Sequence, residues 1–357
     1  MEFDLKDICA QFEVYRDPNV YGNGHINDTY FCVASPGFIL QRINIDVFKK
    51  PEEVMENIYN VTEHLKKKII AAGGDVERET MSLIKSKDGK AYYKADDRNY
   101  FRMYKYVPRT VTHEEVENPI QLYHAGKSFG KFQRMLDDFD ADSLYETIVD
   151  FHTTPKRVEQ LKAAIDADAK GRCAEVEEEI ATALEYAKYA DVVIKAIAEG
   201  EVPVRVTHND TKLNNVLFDE VSDEGVCVID LDTVMPGSVL YDFGDALRFG
   251  ASTGAEDERD LSKIEFSLEY FESFAKGFLE ETADCLTPKE IELLPVSALL
   301  LTYECGIRFL ADHLNGDTYF KIHRENHNLD RARTQLKLVK DIESKLDIMA
   351  EIVKKYI

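Results

Sequence analysis

The first hundred residues carry short β-branched and aromatic runs broken by turn residues. Thr29 to Ala34 (TYFCVA) and Phe38 to Ile43 (FILQRI) flank Ser35-Pro36-Gly37, which predicts a hairpin. Pro51 opens a helical pattern through VMENIYNVTEHLKKKIIAA, and Gly73-Gly74 stops it. Two further strands are expected at MSLIK and AYYKA, with Asp88-Gly89 as a turn between them. Asn99 to Val107 (NYFRMYKYV) supplies a fifth strand. The stretch 1–107 therefore reads as a small α+β lobe: a five-stranded, mostly antiparallel sheet with one long helix.

Beyond residue 107 the period changes. Leu122, Ala125, Phe129, Phe132 and Leu136 recur at helical spacing within 119–137. Similar patterns cover 155–167, 174–199, 260–281, 288–313 and 331–356, and a strand-rich interruption lies at about 204–235. The prediction is an α+β protein of two lobes, 1–107 and 108–357. The second is larger and mainly helical, and a hinge is expected near 107–118. A length of 357 residues suits two domains against a ~150-residue prior.

Charge narrows the partners. Lys and Arg total 44 against 67 Asp and Glu, a formal net charge of −23, which disfavours nucleic acid. An anionic nucleotide needs a metal ion or a local positive nest to bind such a chain. The six cysteines show neither CxxC nor zinc spacing, so reduced core thiols are expected, with no disulfide framework. The acidic start MEFDLKDICAQFEV lacks the features of a signal peptide, and no apolar run approaches ~20 residues. A soluble, cytoplasmic protein with no membrane partner is expected.

The chemistry concentrates in Val206 to Asp232, VTHNDTKLNNVLFDEVSDEGVCVIDLD. It reads as a short strand, a polar loop, an apolar strand, an acidic turn and a second apolar strand ending at Asp230. A hairpin of this kind gathers Asp210, Asn215 and Asp230 at one end. One carboxylate can then take a hydroxyl proton while the other two oxygens ligate Mg²⁺ on nucleotide phosphates.

His208-x-Asp210-x₄-Asn215, followed by an apolar strand and Asp230, resembles the catalytic and metal loops of the aminoglycoside phosphotransferase-like kinases, which share a two-lobed fold with protein kinases. The resemblance implies Asp210 as catalytic base, Asn215 and Asp230 as Mg²⁺ ligands, and ATP as phosphoryl donor. It also implies that Asp242 braces the catalytic loop. Asp242-Phe243-Gly244 spells a metal-binding triplet of protein kinases, but it lies 27 residues after Asn215 and follows no apolar strand. Gly126-Lys127-Ser128 imitates the end of a phosphate loop, yet Gln121 stands where the first glycine belongs and the pattern is helical. It is expected to be a solvated helix face.

Gly22-Asn23-Gly24 precedes a strand where the resemblance places a glycine-rich loop over the nucleotide phosphates. The basic residue of the next strand is either Arg42 or the position of Gln41, on opposite faces. Its acidic partner on the helix is Glu52, Glu53, Glu56 or Glu63. The base is expected along Met103 to Val107, with Tyr104 and Tyr106 in contact. Asp232 could be a second metal ligand, a substrate contact or neither.

YGNGHINDTY, FILQRIN, DFHTTPKR, VTHNDTKLNNVL, VIDLDTVMPGSVLYDFGDALRFGAST and TYECGIRFLADHLNGDTYF resemble, more narrowly, the N-acetylhexosamine 1-kinases of that family. This likeness implies ATP-dependent phosphorylation of the anomeric hydroxyl of GlcNAc or GalNAc. It also implies a sugar pocket of His25, Asp210, Thr233, Phe249, Arg308 and Tyr319, with Asn27 nearby. Glu304, one turn before Arg308, is expected to pair with it. The rival readings are a kinase of an aminoglycoside, choline, homoserine or another sugar, and an inactive kinase-like binding module. The module requires loss of Asp210, Asn215 or Asp230, and all three are present.

Overall fold

The computed structural model describes residues 3–22 and 26–357. The chain forms two compact units. The first comprises 1–113, 135–149 and 214–236, and the second 114–134, 150–213 and 237–357.

The first unit begins with helix α1 (Leu5–Gln11), capped by the Asp4 side chain, which accepts from the Lys6 N–H. Strands β1 (Pro18–Val20), β2 (Asp28–Cys32) and β3 (Phe38–Ile43) follow, then helix α2 (Pro51–Ala71). Strands β4 (Leu83–Ile84), β5 (Tyr93–Asp96) and β6 (Asn99–Lys105) complete a sheet in the order β1-β2-β3-β6-β4, with β5 also on β6. Every pairing in it is antiparallel. The sheet thus has six strands where five were expected, because Pro18–Val20 adds an edge strand. The strand expected at MSLIK shrinks to two residues.

Side-chain alternation gives the sheet two different faces. Leu40, Phe101 and Met103 pack with Ile8, Cys9, Phe12 and Cys32 in an apolar core. Gln41, Arg102 and Tyr104 point the other way. Helix α2 buries Val54, Met55, Ile58, Val61, Leu65 and Ile69, a stripe at three- and four-residue steps. A second, three-stranded sheet joins β7 (Thr110–Val111) to the hairpin of β9 (Val216–Asp219) and β10 (Gly225–Val228), with β9 in the middle.

The second unit is mainly helical and carries strand β8 (Arg205–Thr207). Its helices are α3 (Pro119–Met135), α4 (Thr154–Ala167), α5 (Glu177–Glu185), α6 (Val192–Ala198), α7 (Val239–Gly250), α8 (Leu268–Thr282), α9 (Pro288–Asn315) and α10 (His327–Val353). The single helix expected over 174–199 is instead two, separated by a 3-10 turn at Tyr186–Tyr189. Helix α7 has no counterpart in the sequence pattern. Eleven of its twelve residues are buried, and its polar residues Asp242, Asp245 and Arg248 face the interior instead of solvent, so no solvated face marks it as a helix.

Helix α9 is the spine of this unit and packs on α10, α7 and α4. Its start is fixed by a capping box between Thr287 and Glu290. By length and composition α9 is apolar enough to cross a membrane, contrary to the expectation that no such run exists, but 83% of that stretch is buried inside the protein. Gly126 is not on a solvated face either. A Cβ there would meet the Phe274 carbonyl oxygen of α8 at 2.3 Å, so this glycine lets α3 and α8 touch. All six cysteines are free; Cys9, Cys32 and Cys227 are buried, while Cys173, Cys285 and Cys305 are half-buried.

Candidate active site

In the second unit, the loop after β8 carries His208, Asn209, Asp210 and Thr211, and helix α7 dictates its shape. Ser238 caps α7 by accepting from the Leu240 N–H at 3.2 Å, which places Asp242 in the first turn. Asp242 Oδ2 accepts from the His208 N–H at 2.9 Å, and Oδ1 from the Asn209 N–H at 2.7 Å. One turn on, Asp245 Oδ2 accepts from the Thr211 N–H at 3.0 Å. The Asp210 N–H donates to His208 Nδ1 at 3.3 Å. Each backbone N–H from His208 to Thr211 therefore has an acceptor, and the Asp210 side chain stays on the rim, a quarter exposed.

Asn209 sits in the left-handed region at φ 64°, a conformation that asparagine tolerates and that this bracing holds. Gln133 Nε2 donates to Asp242 Oδ2 at 2.7 Å and to the Val206 carbonyl at 3.1 Å. Burial pushes the Asp242 carboxyl above its ordinary value, against the pull of His208, Asn209 and Gln133. Burial also opposes the charge of Asp245, but Arg248, Lys212 and His152 around it hold its carboxyl below the usual range.

Asp242-Phe243-Gly244 thus braces the loop and packs the core. Phe243 meets Phe271, Phe274 and Phe278 edge-on, with centroids 5.3 to 6.1 Å apart. A Cβ at Gly244 would lie 2.3 Å from the Ser297 carbonyl oxygen of α9.

Lys212 was not singled out by the sequence. Its Nζ lies 2.8 Å from Asp210 Oδ1. Burial works against its charge, yet Asp210 and Asp245 raise its pKa above the ordinary lysine value. Asp245 was also missed, although its spacing of three from Asp242 puts both on one helix face.

Elsewhere in this unit, the Arg308 guanidinium lies over the Phe320 ring at 5.5 Å and forms no ion pair among the described residues. Tyr319 packs edge-on against the same ring at 4.8 Å and is 75% exposed. Glu304 does not pair with Arg308 as expected. It accepts instead from His152 Nδ1 at 2.9 Å and Thr154 Oγ1 at 2.6 Å, because His152, in the turn before α4, and Thr154, at its start, both reach its carboxylate. Phe249 is half-buried in the last turn of α7.

In the first unit, the β9–β10 register pairs Val216 with Val228, so Asn215 and Asp230 leave the same open end of the hairpin. The Ile229 N–H donates to the Asn215 carbonyl at 2.9 Å. Asp230 takes the left-handed conformation at φ 59°, which ends the strand and starts a 3-10 turn at Leu231–Thr233. Asn57 Nδ2 anchors this turn to α2 through the Val234 carbonyl at 3.0 Å, and Thr233 is buried within it. The amide and carboxylate oxygens of Asn215 and Asp230 are the hard donors that Mg²⁺ selects, and Mg²⁺ completes its shell with phosphates and water. The donor set fits.

Gly22 adopts φ 74° ahead of β2, with open space where a Cβ would project. Asn23, Gly24 and His25, expected to hold nucleotide or sugar, lie outside the described residues. Arg42 lies on the Leu40 face, where its half-exposed side chain pairs with Asp28 at 3.2 Å, whereas Gln41 shares the opposite face with Arg102. The expected glutamate partners on α2 do not reach Arg42: Glu52 accepts from the Tyr100 hydroxyl, Glu53 pairs with Lys50 and Glu63 with Lys66. Tyr104 is buried beside Arg102, and burial lifts its hydroxyl above the ordinary tyrosine value. Tyr106 is half-buried, its ring 5.0 Å from that of Phe31.

The structure is similar to several solved kinases. A microcompartment-associated aminopropanol kinase superposes with a TM-score of 0.66 at 16% identity, covering 97% of this chain and 98% of that one. An aminoglycoside phosphotransferase from Alicyclobacillus acidocaldarius gives a TM-score of 0.60 at 12% identity, over 97% and 95% of the two chains. The Plasmodium vivax ethanolamine kinase gives 0.53 at 13% identity, over 89% and 82%. At these identities the likeness is one of fold: the two-lobed kinase-like architecture, with an antiparallel sheet lobe and a larger helical lobe. The sequence itself matches APH, the phosphotransferase enzyme family, over residues 19–274, well beyond half its length, and the chain belongs to that family.

Proposed function

We propose that this phosphotransferase uses ATP to phosphorylate the anomeric hydroxyl of N-acetylhexosamines, giving the sugar 1-phosphate and ADP. The observation that carries the reading is the braced loop at 208–211, which presents one carboxylate, Asp210, on a backbone whose N–H groups are all committed. Asp210 accepts the proton of the attacking hydroxyl as the new O–P bond forms and the bond from the γ-phosphorus to the bridging oxygen breaks. Asn215 and Asp230 hold the divalent cation, which supplies charge neutralisation for the phosphates when bound. Asn215 lies five positions after Asp210 in the chain, so their Cα atoms are at most ~18 Å apart.

The acceptor class rests on the narrower resemblance and on the character of the second unit. Arg308, Phe320 and Tyr319 combine a guanidinium donor with aromatic faces, a combination suited to a neutral ring bearing hydroxyls and an acetamide. An ammonium acceptor such as choline or ethanolamine would meet the like charge of Arg308.

A coupled ADP-release assay over hexoses, N-acetylhexosamines, choline, ethanolamine, homoserine and kanamycin tests the reading, with ³¹P NMR of the product. Turnover is expected with GlcNAc or GalNAc and a 1-phosphate resonance. A signal confined to the amino alcohols and kanamycin would overturn the acceptor class.

A further inference from the structure

Two carboxylates, Asp230 and Asp232, follow β10 two residues apart, and in sequence either could ligate a metal. The structure separates them. Asp232 is 4% exposed, and each of its oxygens has its own donor. Arg102 Nη1 bonds Oδ1, and Asn27 Nδ2 bonds Oδ2 at 2.6 Å.

Arg102 is itself 1% exposed and held from three sides. Its Nε donates to Gln41 Oε1 at 2.9 Å, and Gln41 Nε2 donates onward to Thr29 Oγ1 at 3.1 Å. The strand register places Thr29, Gln41 and Arg102 side by side across β2, β3 and β6. The guanidinium lies 5.3 Å from the Tyr104 ring centroid, and α2 offers it the Met55 sulfur at 4.0 Å. Burial works against the Arg102 charge, but Asp232 outweighs it and raises the pKa above the ordinary arginine value. Asn27 is tied down as well, its Oδ1 accepting from the Asn44 N–H at 2.9 Å.

A buried carboxylate that is ion-paired to a buried guanidinium and holds a donor on each oxygen turns to a cation only at the expense of that pair, which is a costly exchange. We propose that Arg102 is a positioning residue that withholds Asp232 from the divalent cation, so that Asp230 and Asn215 ligate the metal without a second carboxylate. The proposal rests on the kinase reading and adds to it. Affinity for a hard cation rises with the number of ligating carboxylates. With one carboxylate the protein binds free metal weakly and takes it as the nucleotide complex. Asn27, just ahead of β2, is bound to the same locked carboxylate.

Free Mn²⁺ binding to the full-length protein without nucleotide, read by electron paramagnetic resonance, tests this directly. Asp232→Asn is expected to bind Mn²⁺ within about twofold of the parent protein. Arg102→Met, which frees a carboxylate beside Asp230, is expected to bind at least about tenfold more tightly, and Arg102→Met with Asp232→Asn returns to the parent value. A purely structural Arg102 would weaken metal binding and lower Tm together. Mn²⁺ affinity falling tenfold in Asp232→Asn, or unchanged in an Arg102→Met protein with native circular dichroism, overturns the proposal. If Arg102→Met does not fold, Asp232→Asn alone decides. Asp230→Asn in the same titration reports on the kinase reading separately, since that reading requires it to lose the metal.

Discussion

The Asp242 carboxylate accepts the Asn209 backbone N–H at 2.7 Å and thereby holds a left-handed residue immediately before Asp210. Asp242→Asn would turn an amide N–H₂ towards donors that now meet a carboxylate. Loss of about 2 kcal/mol of stability is expected, as for hydrogen bonds to a charged group. The loop should also lose its shape, lowering kcat by about 100-fold through misplacement of Asp210. Urea unfolding and steady-state kinetics on the same preparation check both.

Gly244 shows that the Asp-Phe-Gly triplet serves packing here. A Cβ at this position would overlap the Ser297 carbonyl, so Gly244→Ala should destabilise the protein by about 1–3 kcal/mol. Its Mg²⁺ dependence should stay at the parent value. Differential scanning fluorimetry and a Mg²⁺ titration of activity separate the two effects.

Lys212 lies 2.8 Å from the Asp210 carboxylate, and its side chain is 41% exposed. The pair is half-buried, so solvent still screens it and it contributes about 1 kcal/mol or less to folding. Lys212→Met should therefore leave Tm nearly unchanged while lowering kcat by about 10- to 100-fold, because the base loses the group that holds it. Equal loss of stability and activity would contradict that division.

Glu304 gives the protein an acid-sensitive element. Burial opposes its charge, but His152, Arg308 and Thr154 hold its carboxyl below the ordinary value of 4.5. Its folded-state value is depressed, so its contribution is present above the unfolded value and lost as pH falls through the folded one. The Tm gap between the parent protein and Glu304→Gln should therefore narrow as pH is lowered from ~6 to ~3.

The sequence makes local features legible. The hairpin around Ser35-Pro36-Gly37, helix α2 with its Pro51 start, and the β9–β10 hairpin all follow from contiguous residues. So does the spacing of His208, Asp210, Asn215 and Asp230, on which the proposed phosphoryl transfer is built. Arg102 was not legible as a partner of Asp232. They are 130 residues apart, and only the register of β3 on β6 and the bend after Asp230 bring them together. Lys212 looked like one more polar loop residue until the fold of that loop showed its neighbour. Glu304 and Arg308 illustrate the converse: helical spacing alone allows their pairing, but His152, in the turn before α4, and Thr154, at its start, take the carboxylate first.

The most direct test of the account is Asp210→Asn, assayed for turnover with GlcNAc and for MgADP binding by calorimetry. The account predicts a fall in kcat of about 10²–10⁴, the scale of general-base catalysis, with MgADP affinity within about threefold of the parent protein. A variant that keeps most of its kcat would contradict it.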